Sequence, residues 1–147
     1  MEAENVHVLI DACIEGGRLR QLFPPLEDGL TPRDIRVLEQ LHRLSQTREQ
    51  VQVSDISEML EVTRPGITAS LKVLTTKGYV EKQRDREDGR VVYVRLTEKG
   101  AETVQRTVTD FHRRLSETVF AEISDEEALR TAEVIHRAVE AMRSYEG

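Results

Sequence analysis

The stretch Ser54–Leu74, SDISEMLEVTRPGITASLKVL, contains two short apolar patterns with only three residues between them. Ser54 is a favourable N-cap for a first helix over residues 55–60, whose inward positions at helical spacing are Ile56, Met59 and Leu60. Thr63 is a good N-cap for a second helix. Pro65 is compatible with the first turn of that helix, because the N–H groups there have no partner within the helix. Two short helices joined by so tight a turn predict a helix-turn-helix.

A β-hairpin is predicted directly after the second helix. Lys77-Gly78 is a C-terminal helix signal, with Gly just past the last helical residue. Two β-prone segments, 79–84 and 91–96, then flank the polar six-residue loop Asp85–Arg90. The segment Val51–Val53 is also short and β-prone. A helix-turn-helix followed by a hairpin indicates a winged helix-turn-helix.

Two further helices are predicted before this region. The first spans about 3–22 and is interrupted at Gly16-Gly17. The second ends near Ser45, and its start signals are the N-cap Thr31, Pro32 and Asp34. Its inward residues are expected to be Ile35, Leu38, Leu41 and Leu44.

Two terminal helices carry apolar seams close to heptad spacing. Thr97 caps the first, predicted over 97–121, and a capping box from Ser124 to Glu127 opens the second, predicted to end near 145. The first seam consists of Ala101, Val104, Val108, Phe111, Leu115 and Val119, and the second of Ala128, Ala132, Ile135, Val139 and Met142. Such seams are typical of helix-on-helix packing. The predicted fold class is mainly α with a small β-hairpin (α+β), with a winged helix-turn-helix over 31–97 and a helical dimerisation region at 3–22 and 97–145.

The charge of the chain is unevenly distributed. The 147 residues have a net charge of −6, but residues 62–100 hold nine Lys or Arg and five Asp or Glu. That segment is therefore +4 and the remainder −10. One surface is suited to a polyanion that the rest of the chain repels, although such a window also arises by chance in a chain with 33% charged residues.

Several function classes are disfavoured by the sequence. No apolar run approaches the length of a membrane span, the acidic N-terminus is unlike a secretory signal, and a single Cys fits a reducing compartment, so we expect a cytoplasmic protein without a membrane partner. Four dispersed His residues and the absence of a CxxC motif argue against a metal site. No nucleophile–base spacing, phosphate-binding Gly loop or acid–base pair is present, so no catalytic residue is expected.

Three segments resemble MarR-type transcriptional regulators: LTPRDIRVLEQL (30–41), VSDISEMLEVTRPGITASLKVLTTKGYVEK (53–82) and RDREDGRVVYVRLTEKG (84–100). The resemblance extends over about 6–143 and is most specific in the wing, at Asp88-Gly-Arg90 and Leu96–Gly100. It implies a homodimer that binds a near-palindromic operator in double-stranded DNA, usually as a repressor. A small-molecule effector then releases the DNA. The resemblance implies no other cofactor, and no motif fixes effector-binding residues.

The outer face of the second helix is the predicted base-reading surface. With Ile67, Leu71 and Leu74 inward, a step of about 100° per residue puts a mostly small set outward: Pro65, Ala69, Lys72 and Thr76, with Thr68 beside them. Small side chains allow the helix backbone to approach a major groove. Thr63 suits a phosphate or acts only as a cap, whereas Arg64 and Lys72 suit a phosphate or a guanine edge. Lys72 is alternatively a solvated charge.

The wing is predicted to add three arginines at or near its tip: Arg84, Arg86 and Arg90. The resemblance implies that Arg90 probes the adjacent minor groove, whose negative potential attracts Arg, and that Asp88 orients it. The alternative is a hairpin tip kept soluble by mixed charges. The chain departs from the family pattern at Ala69, where Arg is common, and at Lys72, where an acid is common. These two departures leave the operator sequence open.

Two other functions stay open. A winged helix also serves as a protein–protein interaction module. Some members of the resembled family sense peroxide through a Cys in the first helix, where Cys13 stands, but the three tyrosines of this chain lie outside the first two helices. A Cys on an apolar stripe is more often a small core residue.

Overall fold

A computed structural model describes residues 1–60 and 64–145, with helices and strands in the predicted order. The helices are α1 (Ala3–Leu19), α2 (Pro32–Ser45), α3 (Val53–Leu60), α4 (Arg64–Thr76), α5 (Glu98–Val104), α6 (Phe111–Glu117) and α7 (Asp125–Arg143). The strands are β1 (Val51–Gln52), β2 (Val80–Arg84) and β3 (Val92–Leu96). Two 3-10 turns, Arg20–Leu22 and Glu27–Gly29, lie between α1 and α2, and a π-helical stretch, Gln105–Asp110, joins α5 to α6.

The chain divides into two compact units, Leu26–Val119 and a pairing of Met1–Pro25 with Phe120–Gly147. The first unit contains the winged helix-turn-helix and its core. The core side chains come mainly from α2, α3, α4, the sheet, the end of α5 and the π-helical stretch that follows it. Those with no exposed surface are Val37, Leu38, Leu41, Ile56, Ile67, Leu71 and Leu74. The predicted fold class, mainly α with a small β-sheet and a winged helix-turn-helix, is confirmed, and the dimerisation role of the terminal helices stays a prediction.

The start of α2 follows the sequence prediction. The Thr31 hydroxyl accepts a hydrogen bond from the Asp34 N–H at 3.3 Å, and the Asp34 carboxylate accepts one from the Thr31 N–H at 2.8 Å. This reciprocal capping box satisfies two N–H groups that the helix itself leaves without partners. The helix ends at Ser45, as expected.

Two predictions for α3 are wrong. The helix begins at Val53, and the Asp55 carboxylate, which accepts the Gln52 N–H at 2.8 Å, supplies the cap instead of Ser54. Met59 is 54% exposed rather than inward, because the buried positions of α3 are Ile56, Ser57 and Leu60.

The hairpin is part of a three-stranded antiparallel sheet in the order β1-β3-β2. Val51 of β1 lies opposite Val94, so the short β-prone segment before α3 pairs with the hairpin rather than standing alone. In β2 and β3 the register runs from Val80 opposite Leu96 to Arg84 opposite Val92. Both predicted strands are confirmed, within one residue at their ends.

The terminal helices differ from the predictions in detail. α1 passes through Gly16-Gly17 without interruption. The continuous helical run that Thr97 opens, through α5, the π-helical stretch and α6, ends at Glu117, earlier than predicted. Ala101 is exposed because the buried face of α5 runs through Gly100, Thr103 and Val104. α7 opens with the predicted capping box of Ser124 and Glu127. All residues of α1 and α7 are described, and no side chain of either helix is buried within this chain.

Candidate nucleic-acid interface

The α4 helix presents the faces that its sequence predicts. Ile67, Leu71 and Leu74 are fully buried against the core, while Pro65, Thr68, Ala69 and Lys72 are exposed. Thr76 is also exposed, but its hydroxyl donates to the Lys72 carbonyl oxygen at 2.9 Å. The exposed face of α4 is therefore made of small side chains around one lysine. Thr63 and the side chain of Arg64 lie outside the described residues.

The C-terminal end of α4 is fixed by a left-handed glycine. Gly78 has φ +78°, and the Tyr79 N–H donates to the Leu74 carbonyl oxygen at 2.9 Å. This is the hydrogen bond of a glycine-terminated helix, and a side chain at Gly78 would strain that backbone. Tyr79 then turns into the core with 2% of its surface exposed, and β2 begins at the next residue. The turn signal at Lys77-Gly78 thus sets the direction in which the wing leaves the helix.

The pleat of the wing separates its charges. Residues opposite each other in an antiparallel sheet share a face, and neighbours along a strand alternate faces. Lys82 lies opposite Val94 and Arg84 opposite Val92, so both cations extend the face that carries the buried Val80 and Val94. Glu81 lies on the other face, where the Arg95 Nε is 2.7 Å from its carboxylate.

Two acids of the wing tip, Asp85 and Asp88, accept hydrogen bonds from backbone N–H groups. The Asp85 carboxylate accepts hydrogen bonds from the Glu87 and Asp88 N–H groups at 2.8 and 2.9 Å, and the Asp88 carboxylate accepts one from the Arg90 N–H at 3.0 Å. The Asp85 N–H donates to the Val91 carbonyl oxygen at 2.9 Å and closes the loop. These bonds give Asp85 and Asp88 a structural role: they fold the loop that carries Arg86 and Arg90.

The electrostatics of the tip follow from these contacts. Hydrogen bonds from the Asp88 and Glu87 backbone lower the pKa of Asp85, and the nearby Tyr93 hydroxyl adds to this effect. Burial raises the pKa of Tyr93, and so does the adjacent charge of Asp85. Asp85 therefore stays ionised, while its charge is turned toward N–H groups of the loop.

The wing arginines are not neutralised by acids. Within residues 1–60 and 64–145, no ion pair joins Arg84, Arg86 or Arg90 to a carboxylate. Arg95, by contrast, is paired on the opposite face of the same hairpin. Asp88 contacts the backbone of Arg90, so the orientation of the Arg90 guanidinium by Asp88 stays a prediction.

The base of the wing contains contacts that sequence reasoning missed. The Thr97 hydroxyl donates to the Gly78 carbonyl oxygen at 2.7 Å, and its N–H donates to the Tyr79 carbonyl oxygen at 3.1 Å. Gly100 packs so closely on the same carbonyl that a Cβ there would overlap the oxygen and lie 3.1 Å from the Leu96 side chain. The segment Leu96–Gly100 pointed to this junction, but its partners at 78 and 79 were identifiable only from the fold.

Other candidate sites of the sequence can be placed as well. Cys13 is a free, exposed thiol on α1, and is not buried within this chain. In the part of the chain that the structure describes, no group of three His, Cys, Asp or Glu residues is arranged to hold a metal ion. A search of the same residues finds no helix with the length and apolarity that a membrane span requires.

Residues 28–91, from the turn before α2 to the wing tip, match the model of the MarR family. Over this stretch the chain is similar to the MarR family. It is 30% identical over 89 residues to YdgJ, an uncharacterised HTH-type transcriptional regulator of Bacillus subtilis (strain 168). That alignment covers 60% of this chain, and the chain spans about half of the relative's length, 54%. The resemblance to MarR-type proteins is confirmed.

Solved structures of MarR-type proteins share this fold. Streptococcus pneumoniae FabT, in complex with DNA, matches with a TM-score of 0.67 and 21% identity over 97% of this chain and 98% of FabT. PcaV of Streptomyces coelicolor, in complex with its natural ligand, matches with a TM-score of 0.67 and 20% identity over 91% of each chain. At these identities the likeness concerns the fold.

Proposed function

We propose that this chain is a MarR-family, sequence-specific regulator of transcription that binds double-stranded DNA. The observation that carries the proposal is the separation of charge on the wing. Lys82 and Arg84 extend the core-facing side of the hairpin, and within the described residues no ion pair joins Arg86 or Arg90 at the tip to an acid. Glu81 is neutralised on the opposite side. A mixed-charge tip that served only solubility has no need for this arrangement.

The proposed DNA contacts combine the exposed face of α4 with this wing. α4 lies in a major groove, where Thr68 and Ala69 meet base edges and thymine methyl groups, and Lys72 contacts a phosphate or a guanine. Arg64 and Pro65 begin α4, whose N-terminal turn is suited to a phosphate, and Thr63, predicted from the sequence to cap this helix, is proposed to contact the same phosphate. Arg90 enters the adjacent minor groove, and Arg84 and Arg86 contact its phosphates. Asp88 serves as the positioning residue of Arg90.

The proposed active form is a homodimer built on α1 and α7. The two helices have 17 and 19 residues, and all of their large apolar side chains are at least partly exposed in the single chain. On α7 the exposed apolar residues include Leu129, Ile135, Val139 and Met142. Long helices that expose such residues are expected to pack against a partner. A two-fold dimer presents two α4 helices to a near-palindromic operator, with half-sites about one helical turn apart.

Repression and a response to a small molecule are also part of the proposal. PcaV was crystallised with its natural ligand, and FabT with DNA. By analogy, an effector releases this chain from its operator, and it must bind the DNA-competent and DNA-incompetent forms with different affinity. The identity of the effector and its binding residues are left open.

A binding titration tests the proposed DNA contact. The probe is a duplex that contains the DNA upstream of the chain's own gene, with a random-sequence duplex of equal length for comparison. Fluorescence anisotropy is measured over a series of salt concentrations. We expect preference for the upstream duplex and a fall in affinity with rising salt, with a slope of roughly −0.9 per phosphate contact. A protein–protein interaction module would show neither property, and equal weak binding to both duplexes would refute sequence-specific recognition.

A further inference from the structure

A carboxylate outside the proposed DNA surface joins three segments that are distant in the sequence. Asp28 lies in the 3-10 turn before α2 and has φ +58°. Its carboxylate accepts a hydrogen bond from the Tyr79 hydroxyl at 2.7 Å and one from the Lys99 ammonium at 3.1 Å. Its carbonyl oxygen accepts a hydrogen bond from the Lys77 ammonium. We call these four residues the Asp28 junction.

The residues of the Asp28 junction also contact one another at the end of α4. The Lys99 ammonium also donates to the Lys77 carbonyl oxygen at 3.0 Å and lies 4.1 Å from the centre of the Tyr79 ring. Lys77 and Tyr79 flank the glycine that terminates α4, and Lys99 is in the first turn of α5, which follows the wing. The turn before α2 is therefore tied both to the end of α4 and to the helix that anchors the base of the wing.

The polar contacts of the junction are poorly suited to adding stability. The Lys99 and Asp28 side chains are 49% and 51% exposed, and exposed ion pairs contribute little. The Tyr79 hydroxyl hydrogen bond lowers the pKa of Asp28, with a further lowering by Lys99, so the carboxylate is charged at neutral pH. The junction also directs the ammonium groups of Lys77 and Lys99 to Asp28, although both belong to the cationic segment of the chain. Its geometry fits the fixing of one element against another better than direct contact with DNA.

We propose that Asp28 is a positioning residue for DNA binding: through Tyr79 and Lys99 it fixes the C-terminal end of α4 relative to α5 and the wing. This inference rests on the proposed function, because it assumes that α4 and the wing meet DNA together. A small rotation of α4 relative to the wing separates the two contacts, so the junction controls specific affinity while leaving the fold intact.

The sharpest test uses Asp28→Gly. Glycine adopts a positive φ without strain, so this change removes the carboxylate and keeps the turn. The matched control is Glu27→Gln, in the same turn, whose ion pair is with Arg106 rather than with α4. Both changes remove one negative charge, which by itself strengthens binding to a polyanion. The assay measures the affinity of each variant for a duplex selected by the wild type from a random-sequence library, and for an unselected duplex, together with urea unfolding.

We expect Asp28→Gly to weaken binding to the selected duplex about tenfold, the effect of losing a hydrogen bond to a charged group, with unselected binding equal or slightly stronger. Glu27→Gln should weaken binding to neither the selected nor the unselected duplex. Tyr79→Phe should also weaken selected binding, and the double variant with Asp28→Gly should lose less than the two single effects combined. Asp28→Asn, which tolerates a positive φ and keeps an acceptor for Tyr79, should restore part of the affinity.

Three results would overturn the proposal for Asp28. The first is an affinity of Asp28→Gly for the selected duplex as high as that of Glu27→Gln. The second is an equal loss of affinity of Asp28→Gly for both duplexes together with a lower urea unfolding midpoint. The third is a strictly additive effect of Asp28→Gly and Tyr79→Phe on the affinity for the selected duplex. The proposed function is tested separately within the same experiment, since it fails if the wild type does not distinguish selected from unselected duplexes.

Discussion

Gly100→Ala is expected to destabilise the winged helix although it replaces glycine by alanine inside a helix. Gly100 is in the first turn of α5 and is buried. A Cβ at this position would overlap the Tyr79 carbonyl oxygen and lie 3.1 Å from both the carbonyl carbon and the Leu96 side chain. The oxygen cannot readily retreat, because it accepts the Thr97 N–H at 3.1 Å and belongs to the backbone between α4 and β2.

The magnitude follows from two opposing effects. Forcing a methyl group into such a contact costs about 3 kcal/mol, the upper end for overpacked positions, because the neighbour is backbone rather than a flexible side chain. The higher helix propensity of alanine offsets about 1 kcal/mol of this. The free energy of unfolding should therefore fall by about 2 kcal/mol.

Urea denaturation at fixed protein concentration measures this change, with coincident transitions by two probes as the condition for a two-state analysis. Gly16→Ala is the control. Gly16 is also helical, but a Cβ there meets no atom within 4 Å in the single chain, so this variant should be unchanged or up to about 1 kcal/mol more stable. If Gly100→Ala were as stable as Gly16→Ala, the close approach of α5 to the Tyr79 carbonyl would be refuted.

Four further predictions concern the interface, the dimer and the effect of acid. Arg90→Ala should weaken operator binding about tenfold and make the salt dependence shallower, because one cation fewer displaces counterions from the DNA. Arg95→Ala, from the neutralised face of the same hairpin, should leave the salt dependence unchanged. Ala69→Glu should weaken operator binding at least about tenfold without changing the unfolding midpoint, and normal binding by this variant would show that the exposed face of α4 is not the reading surface. Ile135→Glu should yield monomers in sedimentation while the exposed control Glu133→Gln stays dimeric; a dimeric Ile135→Glu would contradict the role of α7. The pKa of Asp28 is lowered from 3.8, so the stability that its charge contributes is present above that pH and is lost as pH falls through the lowered folded value. The difference in unfolding midpoint between Asp28→Asn and the wild type should accordingly disappear in that acidic range.

The regular elements could be predicted because their signals are local. The capping boxes at Thr31 and Ser124, the glycine at Gly78 and the 3.6- and 2-residue apolar periods each depend on residues within one turn or one strand of each other. The exposed face of α4 could be predicted in the same way, because the inward positions Ile67, Leu71 and Leu74 define the opposite side of the helix. Met59 was placed wrongly because α3 has fewer than three turns, and over that length the period alone fits more than one inward face.

The contacts that organise the site depend on distant residues and were missed for that reason. Asp28 and Tyr79 are separated by 51 positions, and Asp28 and Lys99 by 71, so no periodicity links them. At the wing tip the sequence shows which residues are acidic, but it does not show which groups their carboxylates contact. Whether Asp85 faces DNA or binds the loop depends on the direction of N–H groups that only the folded turn defines.

This geometry explains how a chain with net charge −6 is suited to a polyanion. Charges interact appreciably over about 8 Å at physiological salt, so acids elsewhere on the chain have little effect at the wing tip. Three acids of the hairpin are held by other contacts: Glu81 pairs with Arg95 on the opposite face, while Asp85 and Asp88 bind loop N–H groups. The residues outside 62–100 carry a net charge of −10, which repels DNA phosphates from the other surfaces of the chain. This repulsion favours the orientation in which α4 and the wing approach the DNA together.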